Sequence, residues 1–232
     1  KMTLPLDPVK TRRWRKNNHS GTTLDMRRTI NASLRTGGEI LKWQKKSKNL
    51  YQPYVVLMCD ISGSMKNYSR VLTHFLHTVV QKHKTVSAFF FGTQLTNITT
   101  KLRSKNVNKA LSEISRLYID WGAGTRIGHA IGDYNRQWAK KTPSQNKVMI
   151  LISDGLDSDA GKNLKQPVEQ LRILCRKIIW LNPLLRYEHF RPISSGSLIL
   201  KPFVDLFLPI HNLESLEDLV KVIKSTNNSS RM

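Results

Sequence analysis

The sequence predicts an α/β protein with a doubly wound, mostly parallel sheet flanked by helices, and its apolar segments are the main reason. Four short runs are apolar at successive positions, which is typical of strands buried on both faces of a parallel sheet. The strands predicted from these runs cover residues 54–59, 86–91, 147–153 and 177–181. Segments with helical periodicity lie between them, and this alternation predicts parallel pairing with right-handed crossovers.

The remaining elements follow in chain order. Helices are predicted at 66–83, 107–117, 127–140, 163–175 and 214–224, a short strand near 97–99, and a short helix after residue 197 that leads to a last strand at 205–208. Residues 1–19 read as a polar tether, and the apolar spacing over 22–43 predicts an amphipathic helix interrupted at Gly37 and Gly38. We therefore divide the chain into a basic N-terminal helical arm (1–52), an α/β domain (53–225) and a polar tail (226–232).

The chain is strongly basic. It has 38 Lys and Arg against 16 Asp and Glu, a net charge of +22, and residues 1–50 contribute +10 from 13 basic and 3 acidic residues. Such a field attracts an acidic protein surface, nucleic acid or an anionic membrane, and it also fits an unspecific solvated face. Without a zinc-finger, recognition-helix or aromatic RNA-binding motif, an acidic protein partner is favoured. The arm contains three arginines among its apolar positions, Arg27, Arg28 and Arg35. Contacts with a partner and salt bridges of a docking helix explain them equally well.

The length and the cysteine content predict a cytoplasmic protein. A chain of 232 residues is long enough for one well-buried domain and an appendage, and because it starts in mid-pattern it can be a fragment of a longer protein. No apolar run approaches the roughly 20 residues of a membrane span, and the basic N-terminus lacks the apolar segment of a signal peptide. Cys59 and Cys175 are predicted to be free, buried thiols in a reducing compartment.

One loop carries residues that suit a metal ion. The apolar run 54–59 stops at Asp60 and is followed by Ser62 and Ser64, so that one carboxylate and two hydroxyls lie within a single turn. These are hard oxygen donors, which suit a small hard cation such as Mg²⁺ better than zinc or copper. An ordinary strand-to-helix turn, in which Ser or Asp caps the next helix, would use the same residues.

Two further turns bring oxygen donors to the same edge of the predicted sheet. Thr125 follows a glycine-rich stretch and is expected to open a helix, and Asp154 follows the apolar run 147–153. Ligands of an open parallel sheet collect beyond the carboxyl ends of its strands. The sequence therefore predicts that five residues converge on one point: Asp60, Ser62, Ser64, Thr125 and Asp154.

These motifs resemble those of a known family. The Asp-x-Ser-x-Ser loop, the later Gly-Thr pair and the strand-terminal Asp-Gly are similar to the metal-ion-dependent adhesion site (MIDAS) of von Willebrand factor A domains. Further segments resemble the CoxE-like branch of that superfamily, and the resemblance extends over roughly residues 22 to 222. These segments are 24–29, 34–39, 74–77, 89–93 and 180–184.

The resemblance implies a fold and a role. In such a domain Ser62, Ser64 and Thr125 would hold the metal directly or nearly so, and Asp60 and Asp154 would act through metal-bound water. The cofactor would be Mg²⁺ or Mn²⁺, and a carboxylate of an acidic partner would complete its coordination. CoxE-like proteins are associated with MoxR-type AAA+ ATPases and with maturation of carbon monoxide dehydrogenase and related molybdenum hydroxylases. The resemblance thus implies a protein-binding adaptor for such an ATPase or its metalloenzyme client, and not an enzyme.

Other interpretations of the acidic loop meet specific objections. A haloacid-dehalogenase-like phosphotransferase needs a second acid two residues after Asp60, where this chain has Ser62. A response-regulator receiver needs paired acids and a later strand-end lysine, and neither is found. There is no Gly-x-x-x-x-Gly-Lys-Ser/Thr loop, so any ATP chemistry must come from a partner. The alternative that stays open is a nucleic-acid-associated protein that binds through its basic arm.

Four further polar residues are predicted to have structural roles. His74 and His77 have the spacing of zinc ligands on a helix, but no nearby cysteine or acid completes a set, so packing is predicted. Asp157 and Asp159 faintly resemble part of a calcium loop, but its glycine comes too early and the closing glutamate is absent. They are therefore predicted to be loop or cap residues.

Overall fold

The computed structural model describes residues 9–104, 124–142, 147–159, 161–187 and 190–210. These residues fall into two compact units, with the division between Gln52 and Pro53. The helices predicted at 107–117 and 214–224 lie outside the described residues. No helix within the described ranges is long and apolar enough to cross a membrane.

The smaller unit combines a three-stranded antiparallel sheet with one short helix. Its elements are β1 (Val9–Lys16), β2 (Thr23–Leu24), α1 (Met26–Ser33) with a 3₁₀ turn (Leu34–Thr36), and β3 (Lys45–Tyr51). The strand order is β1-β3-β2. The helix ends where Gly37 takes a left-handed conformation, as the glycine pair predicts.

This unit corrects two expectations for the arm. Residues 1–19 were expected to be a tether, yet β1 forms there, and the helix expected over 22–43 is confined to 26–36. The strand could not be recognised because its sequence, VKTRRWRK, lacks the alternation of apolar and polar residues that marks a half-buried strand. The arm is thus built from strands as well as a helix.

The larger unit is an α/β domain around a six-stranded sheet. Its strands are β4 (Val55–Asp60), β5 (Val86–Phe91), β6 (Leu95–Asn97), β7 (Val148–Ile152), β8 (Lys177–Asn182) and β9 (Leu206–Pro209). They are ordered β6-β5-β4-β7-β8-β9, and only the β5–β6 pair is antiparallel. The chain moves outward from β4 to β6 and then resumes on the other side of β4. The predicted doubly wound, mostly parallel sheet is confirmed.

Helices connect these strands close to their predicted positions. They are a 3₁₀ helix (Gly63–Tyr68) leading into α2 (Ser69–Lys82), α3 (Thr99–Leu102), α4 (Ile127–Asp133) with a π-helical turn (Tyr134–Trp138), α5 (Lys165–Leu174), a 3₁₀ helix (Pro183–Arg186), and α6 (Ser195–Leu200) with a 3₁₀ turn (Lys201–Phe203). Among them, α3 is an addition to the predicted set.

Two apolar layers cover the two faces of the sheet. Along β4, Val55 and Leu57 pack in the layer that contains α2, whereas Val56 and Met58 pack in the layer that contains α4 and α5. All four side chains are fully buried. A strand covered on both faces needs apolar residues at every position, which explains the continuous apolar runs of the sequence. Both cysteines are free and buried in this core, as predicted.

Candidate metal centre

Asp60 ends β4 at the carboxyl edge of the sheet, where the doubly wound order reverses between β5 and β7. Its side chain is buried. Oδ1 accepts hydrogen bonds from the Ser62 backbone N–H (2.9 Å) and the Thr125 hydroxyl (3.3 Å), and Oδ2 accepts one from the Ser153 hydroxyl (2.9 Å). This carboxylate therefore connects three separate loops.

The hydroxyls of Ser62 and Ser64 lie side by side, with their Oγ atoms 3.1 Å apart. At metal–oxygen distances of 2.0–2.1 Å, neighbouring ligands of an octahedral Mg²⁺ are about 2.9 Å apart. The two oxygens thus have nearly the spacing of adjacent ligands. Ser62 precedes the 3₁₀ helix, but its side chain makes no capping hydrogen bond. A purely capping role, the alternative reading of this loop, therefore lacks support at Ser62.

Thr125 is held in place by the loop that follows β7. Its backbone N–H donates to the Ser158 hydroxyl (3.0 Å), and the Ser158 N–H donates to the Thr125 carbonyl (2.8 Å). Gly124 has a φ of +82°, and a Cβ there would lie 2.3 Å from Ser158 Oγ. Only glycine permits this close approach. The Thr125 loop and the loop after β7 are thus fixed to one another.

The two acids predicted to be loop or cap residues have that role. Asp157 Oδ1 accepts from the backbone N–H of Ile127 (3.2 Å) and so satisfies the first turn of α4. Asp159 lies 3.7 Å from Arg126 and 3.5 Å from His129, in contacts that are partly exposed. Both interactions attach the loop after β7 to the beginning of α4.

Asp154 is buried, and only one of its carboxylate oxygens has a partner among the residues that the structure describes. Oδ1 accepts from the Leu156 N–H (3.0 Å), while Oδ2 has no hydrogen-bond partner in this part of the chain. The Asp154 carbonyl accepts from the Asn182 side-chain amide (3.0 Å), which fixes the backbone at this point. A buried carboxylate oxygen without a partner is unfavourable. A cation nearby, or a water molecule bound to it, would satisfy this atom.

Burial, together with the charge of Asp154, raises the pKa of Asp60 from 3.8 to about 6. Hydrogen bonds from Ser62 and Ser153 oppose this shift. A cation would stabilise both carboxylates, so the residues present fit a bound divalent metal. Within the described ranges no group of three or more His, Cys, Asp or Glu side chains is placed so that it could hold a metal ion. The donor set is therefore one of hydroxyls and carboxylates, which suits Mg²⁺ or Mn²⁺.

An open cleft of about 570 Å³ gives access to the centre. Its lining includes three of the predicted ligands, Ser62, Ser64 and Thr125, while Asp60 and Asp154 are buried. Its other lining residues are small or polar except Leu156: Gly63, Gly124, Asp157, Ser158, Ser194, Ser195 and Gly196. Ser64 is exposed in the cleft, whereas Ser62 and Thr125 line it but are largely buried, like the two aspartates.

The structure joins four of the five predicted residues through direct hydrogen bonds. Asp60 contacts Ser62 and Thr125, and Ser62 contacts Ser64. Asp154 is connected less directly, because its neighbour Ser153 provides the hydrogen bond to Asp60. Their role as metal ligands stays a prediction.

His77, predicted to have a packing role, is buried and its Nε2 lies 2.9 Å from the Ser104 carbonyl.

Sequence reasoning missed two serines that position the centre. Ser153 lies at the end of an apolar run and was included in the predicted strand, although a hydroxyl beside a strand-end acid was an available signal. Ser158 lies in the loop after β7, and nothing in the sequence connects it with Thr125, which is 33 residues away. Both roles depend on contacts between loops that are distant in sequence.

The raised pKa of Asp60 predicts a pH-dependent cost of folding in the metal-free protein. The folded state holds this proton more tightly than the unfolded state, so the free energy of unfolding falls as the pH rises from about 4 to about 6. About two pH units correspond to about 3 kcal/mol. Asp60→Asn removes this titration. We therefore expect the stability of the variant, relative to wild type, to rise by up to about 3 kcal/mol between pH 4 and 7.

The measurement is urea denaturation in EDTA across this pH range. Asp159→Asn, which changes a partly exposed acid, is the control and should show no comparable trend. Saturating Mg²⁺ should reduce the stability of Asp60→Asn relative to wild type at pH 7, because the cation stabilises the charged carboxylate of the wild-type protein. If the difference in the free energy of unfolding between Asp60→Asn and wild type does not change with pH, the assignment of a raised pKa to Asp60 is contradicted.

The sheet order, the two helical layers and the centre at the carboxyl edge define a von Willebrand factor A type domain. A family profile described as "VWA domain containing CoxE-like protein" matches residues 2–216. The chain therefore belongs to this family, and the resemblance inferred from its motifs is confirmed. A search of curated proteins found no match.

The solved structures with TM-scores of 0.50 and above agree on the fold. A von Willebrand factor type A protein from Catenulispora acidiphila is 16% identical, with a TM-score of 0.54, over 77% of this chain and 44% of that chain. The conserved hypothetical protein BatB from Bacteroides thetaiotaomicron is 17% identical, with a TM-score of 0.50, over 76% and 99%. Proximal thread matrix protein 1 from the mussel byssus is 17% identical, with a TM-score of 0.49, over 74% and 47%. This chain thus spans less than half of the Catenulispora and mussel chains.

Proposed function

We propose that this chain is a metal-dependent protein-binding adaptor. Ser62, Ser64 and Thr125 would hold Mg²⁺ or Mn²⁺, and Asp60 and Asp154 would support it through bound water. The cation, when bound, supplies a Lewis-acidic position for a carboxylate of the partner. The observation that carries the proposal is the hydrogen-bonded set in which the paired serine hydroxyls adjoin a buried aspartate and face an open cleft.

The chain's own residues favour capture of a ligand over catalysis. The described lining of the cleft contains no histidine, cysteine or lysine that could activate a serine or transfer a proton. Neutral hydroxyls around the cation leave much of its charge uncompensated, so an acidic side chain that enters the cleft is attracted to it. The high positive charge of the chain would guide an acidic partner toward it.

Membership of the CoxE-like family suggests the setting. We propose a MoxR-type AAA+ ATPase as the partner that supplies the work of ATP hydrolysis. The client would be a metalloenzyme of the carbon monoxide dehydrogenase or molybdenum hydroxylase type, whose maturation or activation the pair would assist. The two free, buried thiols, Cys59 and Cys175, are consistent with a cytoplasmic location.

The test is recovery of partners from native lysate with Mg²⁺ or with EDTA. Wild type, Ser62→Ala/Ser64→Ala and the control Ser195→Ala, which changes another serine of the cleft, would each be immobilised. We expect an AAA+ ATPase or a metalloenzyme subunit to be recovered by wild type and by the control, and only with Mg²⁺. Recovery of the same proteins by the double variant, or in EDTA, would show that the metal is dispensable and would refute the mechanism.

A second candidate is nucleic-acid binding through the arm. The observation that favours it is Trp14 on β1, whose ring has the Nζ atoms of Lys46 and Lys48 at 5.3 and 5.6 Å from its centroid. Aromatic and basic side chains together are used to bind single strands. This candidate predicts recovery of nucleic acid that is lost with added salt and is unaffected by EDTA.

A further inference from the structure

Helix α1 packs within its own unit through small hydroxyl side chains. Thr29 and Ser33 are 1% and 8% exposed. The Thr29 hydroxyl accepts a hydrogen bond from the Gln44 backbone N–H (3.0 Å) and donates one to the Asp25 carbonyl (2.9 Å). The helix is therefore anchored to the start of β3 by polar contacts instead of apolar packing.

The large apolar residues of this helix are left exposed. Met26, Ile30 and Leu34 are spaced four residues apart and lie in a line along the helix and its last turn. They are 49%, 51% and 71% exposed. We refer to these three residues as the exposed stripe. An amphipathic helix normally buries such a line of side chains against its own protein.

More exposed apolar side chains follow the stripe. Ile40, Leu41 and Trp43, in the segment that returns to β3, are also exposed. Thr29 and Ser33 are the only buried residues of this unit among those whose side chains the structure describes. Clusters of exposed apolar side chains are uncommon on soluble proteins and mark sites of interaction.

The charge around the stripe indicates the chemistry of its partner. Arg27 follows Met26 and Arg35 follows Leu34, within a region of 50 residues that has a net charge of +10. A partner surface complementary to this element has apolar side chains for the stripe and acidic side chains for the arginines. A phosphate backbone would bind the arginines but would leave the apolar line in water. The exposed stripe therefore favours a protein over nucleic acid.

We propose that the exposed stripe and its flanking arginines form a docking element for an apolar surface bordered by acidic side chains on another protein. None of the five residues of the metal centre belongs to this element, so its binding does not require the metal. The chain would then hold its partners in two ways, through the centre at the sheet edge and through the arm.

The test uses designed probes and the full chain. The first probe is a fluorescent amphipathic peptide with leucines on one face and glutamates on both sides of it. The second has serine in place of each leucine, and the third is a single-stranded oligonucleotide of equal charge. Binding is measured by fluorescence anisotropy in EDTA at moderate salt. We expect the leucine peptide to bind roughly tenfold or more tightly than either of the others.

Matched variants locate the binding site. Ile30→Ser/Leu34→Ser should weaken binding of the leucine peptide by roughly tenfold or more. The control Ile173→Ser/Leu198→Ser removes a similarly exposed apolar pair from the larger unit and should leave binding unchanged. Arg27→Ser/Arg35→Ser should weaken binding and also reduce its sensitivity to salt.

Several outcomes would overturn the proposal. Absence of binding by the leucine peptide, or equal binding of the serine peptide or the oligonucleotide, would show that the stripe is not the recognition element. Unchanged binding by Ile30→Ser/Leu34→Ser would place the site elsewhere. A fall of several degrees in melting temperature for this variant, but not for the control pair, would show that the chain itself covers the stripe.

Discussion

The double substitution Ser62→Ala/Ser64→Ala is expected to abolish binding of Mn²⁺ or Mg²⁺ while the domain stays folded. It removes two of the three predicted hydroxyl ligands, whereas the backbone N–H of residue 62 can still donate to Asp60. Changes in residues that only support metal ligands weaken affinity by about 10–100-fold. Loss of two ligands should therefore weaken it by more than about 100-fold. Isothermal titration calorimetry with Mn²⁺ measures this directly.

Two comparisons make this result interpretable. Ser195→Ala changes a serine of the cleft lining that is not one of the predicted ligands and should retain the wild-type affinity for Mn²⁺. The melting temperature in EDTA should be similar for all three proteins, because the hydrogen bond lost is one between two hydroxyls that water can replace. If the double variant binds Mn²⁺ as tightly as wild type, the metal centre has been assigned to the wrong residues.

Gly155→Ala is expected to lower the free energy of unfolding by about 2–4 kcal/mol, since backbone strain and overpacking act together. Gly155 has a φ of +82°, a conformation that alanine rarely adopts. Its new Cβ would lie 2.3 Å from Ser197 Oγ and 2.6 Å from Trp180 Cζ2. The Trp180 ring is fully buried and its Nε1 donates to the Ser153 carbonyl (2.9 Å), so it cannot move aside freely. Urea denaturation measures the loss.

Gly92→Ala is the matched control for this substitution. Its Cβ would meet the Gly124 carbonyl oxygen at 3.7 Å and Ile61 Cγ1 at 3.8 Å, which are ordinary contacts. We therefore expect a loss of less than about 1 kcal/mol, typical of a substitution without a special steric mechanism. Equal losses in the two variants would contradict the steric argument at Gly155.

The sheet of the larger unit could be predicted closely because its strands are covered on both faces. The run predicted at 147–153 forms a strand over Val148–Ile152, and the run predicted at 86–91 forms one with the same bounds. Burial on both sides leaves a continuous apolar signal that does not depend on which strands become neighbours. The helices are similarly marked by their apolar faces.

The arm could not be predicted in the same way. Its strands pair antiparallel at positions such as Trp14 with Lys48 and Lys16 with Lys46, so basic residues lie opposite basic or aromatic ones. Such pairs bury little apolar surface and leave no periodic pattern. The contacts that define β1 join residues 30 to 42 positions apart along the chain, and local sequence cannot reveal them.

The positions of some residues of the candidate metal centre could be predicted, and the positions of the others depend on contacts between loops. The strand-end positions of Asp60 and Asp154 follow from the rule that ligands collect beyond the carboxyl ends of parallel strands. The arrangement by which Ser153 and Ser158 hold Asp60 and Thr125 does not follow from any such rule. It arises only when the connecting loops are in place.

The hydrogen bonds of Asp60 determine the stage of folding at which the centre can bind a cation. They join Asp60 to Thr125 and Ser153, which are 65 and 93 residues away. Contacts of such separation form late, because the intervening chain must first be ordered. A ligand that binds only the native state stabilises it by RT ln(1 + [L]/Kd). A cation at this centre would therefore bind only the completed domain, and under the proposed function a nascent or damaged copy would not bind the acidic partner through the metal.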